Sequence, residues 1–286
     1  MATLVAFHAH PDDECIAQSG TLAKAAAEGH RTVVVYATRG EVGQAPEGFL
    51  APGEELVDRR RAEAEKSAAV LGVARIEWLG YRDSGMIGTP DNDDPRCFWR
   101  ADVEEAAARL AAILRAERAD VLTVYDDHGN YGHPDHIQVH RVGVRAAELA
   151  GTPHVLELTF NRDLIRASMR AAAEAGELGE DLPDADDPDF AVGTSEALIT
   201  TVVDVTDYLD HKRASMEAHA SQVGDTGFFL GLDDDAFRGL LGREWYIRRG
   251  APPGHRDDDV FAGVAGAGPR GAGSPGGETG GGTGGG

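Results

Sequence analysis

The stretch LVAFHAHPDDE at residues 4–14 decides the fold of this chain. Its first half is a short apolar run, which favours a buried strand at residues 4–8. Its second half ends in Asp12, Asp13 and Glu14, three acids that complement the positive end of a helix dipole. The stretch therefore predicts a strand that turns directly into a helix, as at the start of a β-α-β unit.

Outward from this stretch, short β-branched runs alternate with longer segments of helical period. Further strands are predicted at 32–37, 76–79, 121–125, 155–159 and 198–205. Helices are predicted at 13–28, 54–71, 103–117, 136–149 and 207–220, with Gly29 and Gly72 at two helix ends. The alternation predicts an α/β fold, namely a Rossmann-like, doubly wound, mostly parallel sheet with helices on both faces. The expected order of its first five strands is 3-2-1-4-5.

Composition predicts one folded domain followed by a tail. The chain has 286 residues, of which 42% are hydrophobic, enough for a sizeable core. Residues 1–261 are predicted to form this domain. Residues 262–286 are too rich in glycine to bury a core, which predicts a disordered tail. Within the domain, residues 176–190 are acidic and contain proline, which predicts an exposed loop.

Charge and cysteine content narrow the classes of partner. Lys and Arg number 27 against 49 Asp and Glu, a net charge of -22 that repels nucleic acid and anionic membranes. No apolar stretch approaches the roughly 18 residues of a membrane span, and residues 1–7 lack the pattern of a signal peptide. Cys15 and Cys97 cannot form a disulfide framework. We therefore expect a cytoplasmic protein without nucleic-acid or membrane partners, and a homo-oligomer remains an open option.

His10 and Asp13 are candidate metal ligands. They lie three residues apart at the strand-to-helix turn, a spacing that can place an imidazole beside a carboxylate. His136 follows the fourth strand, whose carboxyl end adjoins that of the first strand in the expected order. Three such ligands with an open fourth position are typical of a catalytic zinc. We predict that His10, Asp13 and His136 bind Zn²⁺, with another divalent ion such as Fe²⁺ as the alternative.

Asp12 and His133 complete the predicted chemistry. Asp12 adjoins the ligands without being needed as one, so its carboxylate can act as a general base on metal-bound water. His133 is expected on the other side of the reacting carbon. There, as an imidazolium, it would stabilise the tetrahedral oxyanion or protonate a leaving amine. The metal would lower the pKa of water and polarise a carbonyl.

The motifs HPDDE at residues 10–14 and NYGHPDH at residues 130–136 together resemble the signature of the PIG-L (LmbE-like) family of zinc-dependent de-N-acetylases. The resemblance covers residues 4–222 and is strongest to the deacetylase and the S-conjugate amidase of the mycothiol pathway. It implies the same metal ligands and the same base as the residues above. It also implies that Tyr131 contacts the oxyanion and that Arg60 and Asp83 bind substrate hydroxyls.

The leading hypothesis is a metal-dependent hydrolase that deacetylates a small N-acetylglucosamine-containing substrate by attack of zinc-bound water on the amide carbonyl. Two alternatives stay open: an amidase for mycothiol S-conjugates and, from another class, a non-catalytic metal-binding or sugar-binding Rossmann-like module. Two residues also have purely structural alternatives. Arg60 lies in a run of three arginines typical of a solvated, salt-bridged helix face, and Asp83 precedes Ser84 and Gly85 as in an Asx turn.

Overall fold

A seven-stranded mixed sheet organises the chain in this computed structural model, which describes residues 1–175, 186–187, 190–252 and 254–267. The order across the sheet is β3-β2-β1-β4-β5-β7-β6, and β7 runs antiparallel to both of its neighbours. The strands are β1 (Thr3–His8), β2 (Arg31–Tyr36), β3 (Arg75–Trp78), β4 (Val121–Tyr125), β5 (His154–Thr159), β6 (Thr201–Asp204) and β7 (Arg243–Arg248).

Helices pack against this sheet in groups, α4 with α6, and α3 with α2 and α8. In chain order they are α1 (Asp13–Ala17), α2 (Ser19–Ala27), α3 (Leu56–Leu71), α4 (Val103–Glu117), α5 (Gly129–Gly132), α6 (Pro134–Ala150), α7 (Arg162–Ala175), α8 (Leu209–Ala218), α9 (Val223–Leu230) and α10 (Asp234–Leu241). The predicted α/β class is confirmed.

The central strand β1 explains why the opening stretch determines the topology. Leu4 pairs with Thr32 of β2 on one side and with Val121 of β4 on the other, both in parallel. The side chains of residues 4–8 are buried, as expected for a parallel strand covered on both faces. The predicted order 3-2-1-4-5 is confirmed. The carboxyl ends of β1 and β4 consequently lie side by side, and the loops that follow them meet.

The predicted first helix at 13–28 is wrong in one respect, because Gln18 divides it into α1 and α2. Gln18 has φ -143° and ψ -3°, which lies outside the helical region. Its buried side chain hydrogen-bonds His8 at 3.0 Å and donates to Thr123 at 2.7 Å. Glu244 of β7 then accepts hydrogen bonds from the first amides of α2. The break therefore depends on partners in β1, β4 and β7 that no local pattern reveals.

Other boundaries differ by a few residues. The strand predicted at 198–205 is observed only at Thr201–Asp204, after a 3₁₀ turn at Glu196–Leu198. Gly29 and Gly72 have φ of +84° and +69°, which confirms their predicted places at helix ends. The sequence analysis missed β7, α5, α7, α9 and α10. Strand β7 reads REWYIR, with charged residues at both ends and only one β-branched residue, so it lacks the β-branched run that revealed the parallel strands.

The end of the chain departs from the predicted boundary. Val264 and Ala267 pack against the main core, so ordered packing continues past residue 261. Residues 268–286, most of the predicted tail, lie outside the described residues, as does most of the predicted acidic loop at 176–190. Among the described helices, none combines the length and the apolar composition that crossing a bilayer requires.

Glu244 of β7 contacts both α2 and α8, and these contacts predict an effect on stability. Its carboxylate accepts hydrogen bonds from the amides of Gly20 and Thr21 at 2.9 and 2.7 Å, and it forms a fully buried ion pair with Lys212 of α8. Glu244→Ala should lower the free energy of unfolding by about 3–5 kcal/mol, because it leaves the Lys212 ammonium buried without its counter-ion. Urea unfolding measures this loss. Glu217→Ala removes an exposed carboxylate from α8 and should change the free energy of unfolding by less than about 0.5 kcal/mol. Equal losses in the two variants would contradict the structural role of Glu244.

Candidate metal centre

The three predicted ligands come together where the loops after β1 and β4 meet. Asp13 Oδ2 lies 3.5 Å from His10 Nδ1, and Asp13 Oδ1 lies 3.2 Å from His136 Nε2. One ligand atom from each residue falls within 4.8 Å of the other two. His10 and Asp13 occupy the turn into α1, and His136 lies in the first turn of α6. These side chains can therefore share one ion.

The polar atoms around this point fit a cation. Nδ1 of His136 is buried and lacks a hydrogen-bond partner among the described residues, a costly state for a polar atom, while Nε2 faces the Asp13 carboxylate. Tyr125 stacks on the His136 ring at 4.2 Å between centroids and holds its plane. Burial opposes ionisation of Asp13, but His136 and His10 outweigh it and hold the pKa of Asp13 well below its usual value. Two imidazoles and a carboxylate are a set that suits Zn²⁺.

Asp135 orients His10, a role that the sequence analysis missed. Its carboxylate is completely buried, with Oδ2 3.2 Å from His10 Nε2 and 2.9 Å from the Ser84 amide nitrogen, which donates to it. The Ser84 hydroxyl donates to the other oxygen. When Nε2–H donates to Asp135, Nδ1 of His10 is left with its lone pair beside Asp13. A carboxylate behind a ligating histidine is a common support of metal sites. The available signal was the position of Asp135 inside the second motif.

The negative carboxylates around His10 also favour a positive charge at this point, either on the imidazole ring or on a metal ion. Burial lowers the pKa of His10, but the carboxylates of Asp83, Asp13 and Asp135 outweigh burial and raise the pKa well above the usual value. A second set, His10, Asp83 and His133, also has ligand atoms within 4.8 Å of one another. In that set Asp83 faces His10 Nε2, the nitrogen that Asp135 already engages. The set with Asp13 and His136 is therefore the better candidate.

Asp12 adopts a strained backbone conformation beside the ligands. Its φ is +114°, a region that residues with a side chain seldom occupy and that is typical of functional turns. Its amide donates to Glu14 at 3.1 Å, and its Oδ1 accepts from Arg60 at 3.0 Å. Burial raises the pKa of Asp12 to about 7, although the adjacent Arg60 opposes this. The carboxyl group therefore titrates near neutrality, as a general base should.

Arg60 is buried rather than solvated. Only 3% of its surface is exposed, so the alternative of a solvent-exposed, salt-bridged face is wrong. Its guanidinium donates to Asp12, to the carbonyl of Pro11 and to that of Gly40. Helix α3 thus places the positive charge of Arg60 beside Asp12. The contact of Arg60 with substrate stays a prediction.

His133, Tyr131 and Asp83 border the same space. Nδ1 of His133 accepts from the Asp135 amide at 3.1 Å, which leaves the proton on Nε2. Burial and the neighbouring His10 and His136 lower the pKa of His133 to about 3, which favours a neutral ring over the expected imidazolium. Tyr131 is 46% exposed, with its ring 5.0 Å from that of His136. Asp83 accepts from the Gly85 amide at 2.8 Å, which is the predicted Asx turn.

Glu14 and His219 form a buried support beneath Asp12. Glu14 Oε1 lies 2.7 Å from His219 Nε2 and accepts from the Ser67 hydroxyl at 2.7 Å. Burial opposes ionisation of Glu14, but His219 outweighs it and lowers the pKa to about 2. The sequence analysis treated Glu14 only as an acid at the start of a helix. Its partner His219 lies far along the chain, so no local spacing signals the pair.

The ligands open into a cavity of about 500 Å³, here called the metal pocket, within the range typical of small-molecule sites. Its walls bring together all eight residues that were singled out from the sequence. These are His10, Asp12, Asp13, Arg60, Asp83, Tyr131, His133 and His136. Residues that the sequence analysis did not assign, including Val42, Gly43 and Gln222, complete the wall on the side of Arg60.

Comparison with known proteins supports the same chemistry. The family model described as "PIG-L: GlcNAc-PI de-N-acetylase" matches residues 5–147. The 1D-myo-inositol 2-acetamido-2-deoxy-alpha-D-glucopyranoside deacetylase 1 of Catenulispora acidiphila is 39% identical, over 91% of this chain and 89% of its own length. The corresponding deacetylase of Nocardiopsis dassonvillei is 41% identical, over 90% and 99%.

Solved structures share the fold. The N,N'-diacetylchitobiose deacetylase from Pyrococcus horikoshii gives a TM-score of 0.56 at 24% identity, over 92% of this chain and 86% of the other. The zinc-inhibited form of teicoplanin deacetylase Orf2 gives a TM-score of 0.56 at 20% identity, over 88% and 100%. At these identities the likeness concerns the fold alone.

The contact between Asp135 and His10 generates a prediction for metal affinity. Asp135→Ala should weaken Zn²⁺ binding by about 10–100-fold, because Nε2 of His10 loses the acceptor that orients the ring. Competition with a chromophoric chelator measures the affinity. Asp127→Ala removes a carboxylate from the loop between β4 and α5, where the side chain is 83% exposed, and it should leave the affinity unchanged. If both variants bound zinc as the parent protein does, Asp135 would not support a metal ligand.

Proposed function

The chain belongs to the PIG-L family of GlcNAc-PI de-N-acetylases, and on this premise we propose that it is a metal-dependent hydrolase that deacetylates a small N-acetylglucosamine-containing substrate. The observation that carries the proposal is the convergence of His10, Asp13 and His136, with Asp12 beside them on a strained turn. The names of the relatives favour an N-acetylglucosaminyl-inositol as the substrate, and the resemblance of the motifs implies that it belongs to the mycothiol pathway.

Zn²⁺ is the ion that we propose for the site, since two imidazoles and one carboxylate with an open position suit it. Fe²⁺ is the alternative ion for the same ligands. When bound, such an ion lowers the pKa of water and polarises a carbonyl. His10, Asp13 and His136 would hold it. The expected compartment remains the cytoplasm, on the sequence argument alone.

Asp12 is proposed as the general base. Arg60 on one side and the Glu14 carboxylate on the other hold it at the edge of the ligand set. A pKa of about 7 allows its carboxylate to take a proton from the attacking water at neutral pH. The protonated Asp12 can then deliver this proton to the nitrogen of the breaking amide bond. The products are the free amine and acetate.

His133 is proposed as a neutral hydrogen-bond donor to the oxyanion. Its Nδ1 accepts from the Asp135 amide, so Nε2–H is available to stabilise the negative charge of the tetrahedral intermediate. Tyr131, at the mouth of the metal pocket, is proposed as a second donor to the same oxygen. Asp83 and Arg60 border the pocket where sugar hydroxyls would bind, and Asp83 accepts hydrogen bonds readily as a carboxylate.

Two other functions remain to be distinguished. An amidase that cleaves mycothiol S-conjugates would use the same ligands and the same base on a different acyl group. The deacetylase names of the relatives favour the first function. A non-catalytic metal-binding or sugar-binding module would have no use for a strained Asp12 whose pKa lies near neutrality. Substrate profiling separates the first two functions, and any turnover excludes the third.

Replacement of the base tests the proposal directly. Asp12→Asn should keep zinc but lower kcat by about 10²–10⁴-fold, because the amide cannot take a proton from water. Amine release from N-acetylglucosaminyl-inositol, plain N-acetylglucosamine and a mycothiol S-conjugate measures this, alongside metal content. Asp58→Asn, at an exposed position of α3, should behave as the parent protein does. Absence of amine release from all three substrates by the zinc-loaded parent protein would refute the proposed function.

Replacement of His133 tests how the oxyanion is stabilised. His133→Ala should lower kcat by about 10²–10³-fold with little change in KM, the effect of losing one oxyanion donor. Because the pKa of His133 is lowered to about 3, the group stays neutral above that pH, and the loss should be uniform between about pH 5 and 8. His211→Ala, at a histidine outside the metal pocket, is the control. A falling limb of kcat/KM near neutral pH that disappears in His133→Ala would show that the imidazolium acts instead.

A further inference from the structure

A second cavity of about 520 Å³, here called the apolar cavity, lies beside the metal pocket. Side chains from α7, α9 and α10 and from the ends of β5 and β7 form it. Its wall is mainly hydrocarbon, with Leu164, Ile165, Met169, Phe229, Leu240 and Leu241 among its members. A concave space of this volume with a mainly apolar wall suits an apolar ligand.

The two cavities share part of their walls. Ile16, Ala17 and Phe160 border both of them. Ile16 follows the proposed ligand Asp13 by three residues on α1, and Phe160 directly follows β5. The boundary between the cavities therefore lies next to the proposed metal ligands. An apolar group attached to the reacting carbonyl would have a short path into the apolar cavity.

In the strand order, Asp83 and the apolar cavity lie on opposite sides of the proposed metal ligands. The ligands follow β1 and β4 at the centre of the sheet, and Asp83 follows β3 on one side. The apolar cavity lies on the other side, at β5 and β7. An amide has an amine part and an acyl part on opposite sides of its scissile bond. If sugar hydroxyls lie toward Asp83, the acyl part points toward the apolar cavity.

We infer that the apolar cavity binds the acyl chain of the substrate, so that the enzyme hydrolyses N-acyl amino sugars whose acyl group is an apolar chain longer than acetyl. This inference rests on the proposed function and adds a substrate class to it. The hydrolysis is the same reaction: water adds to the carbonyl carbon, the carbon–nitrogen bond breaks, and the products are a free amine and a longer carboxylic acid. Each methylene buried in an apolar site can improve affinity by up to about fourfold.

The test compares N-octanoylglucosamine with N-acetylglucosamine, below the micellar concentration of the octanoyl compound. For the zinc-loaded parent protein, kcat/KM should be at least about tenfold higher for the octanoyl compound. Leu164→Trp, which fills the apolar cavity, should remove this preference and leave hydrolysis of N-acetylglucosamine unchanged. Met169→Trp provides a second filling variant in case the first fails to fold. Ala167→Trp adds the same bulk on an exposed face of the same helix and should change neither substrate.

Binding to zinc-loaded Asp12→Asn, measured by calorimetry, separates the inference from the proposed function. If no substrate releases amine, the proposed function fails, whereas octanoyl binding at least about tenfold tighter than acetyl, abolished by Leu164→Trp, still supports the cavity assignment. If N-acetylglucosamine is hydrolysed but the octanoyl compound is neither bound nor hydrolysed better, the inference is overturned and the proposed function stands. A dimer that Leu164→Trp dissociates would assign the cavity to a second copy of the chain and would also overturn the inference.

Discussion

A cluster of buried carboxylates at the carboxyl ends of β1 and β4 is the constraint on which the site depends. Asp12, Asp13, Asp83 and Asp135 lie close around His10, and a buried charge is costly unless it is paired. Part of the compensation comes from Arg60, for which the backbone makes room at Gly40 and Gly43. A side chain at either glycine would collide with the guanidinium. The remaining negative charge faces the point that the proposed cation would occupy.

The support of this cluster extends well beyond the segment that the family model matches. That match ends at residue 147, yet Glu14 is held by His219, and Gln222 forms part of the pocket wall. Glu244 of β7 joins α2 to α8 through its pairing with Lys212. The later elements therefore do more than complete the sheet. They hold α1 and α2, and with them the turn that carries His10, Asp12 and Asp13.

What the sequence predicted correctly depends on local signals. The parallel strands are apolar runs, and their order followed from the rules of doubly wound sheets. Residue types and strand order alone were therefore enough to place His136 beside His10 and Asp13. Features that depend on distant partners were missed or wrong. The break at Gln18 requires β1, β4 and β7, and β7 itself has no β-branched run.

Protonation states also could not be predicted from the sequence. The lowered pKa of His133 follows from its burial and from the neighbouring His10 and His136, and its Nδ1 accepts from the Asp135 amide. The sequence reveals neither the burial nor this hydrogen bond. The burial of Arg60 likewise reflects two glycines that lie close to it only in the folded chain. Residue types and spacing therefore identified which groups meet, whereas their charge and their hydrogen-bond direction depend on the three-dimensional arrangement.

The metal pocket and the apolar cavity that adjoins it bear on how such a site reaches its rate. In the proposed reaction the carbonyl carbon lies between the proposed base Asp12 and the proposed donor His133, and a small displacement would cost much of the rate. A polar contact at Asp83 and an apolar contact near Phe160 would hold the amide from both ends. Contacts far from the reacting bond would then contribute to catalysis through positioning, provided that they tighten as the carbonyl becomes tetrahedral. On this view, selection among acyl groups and catalytic rate are two results of the same placement of the amide.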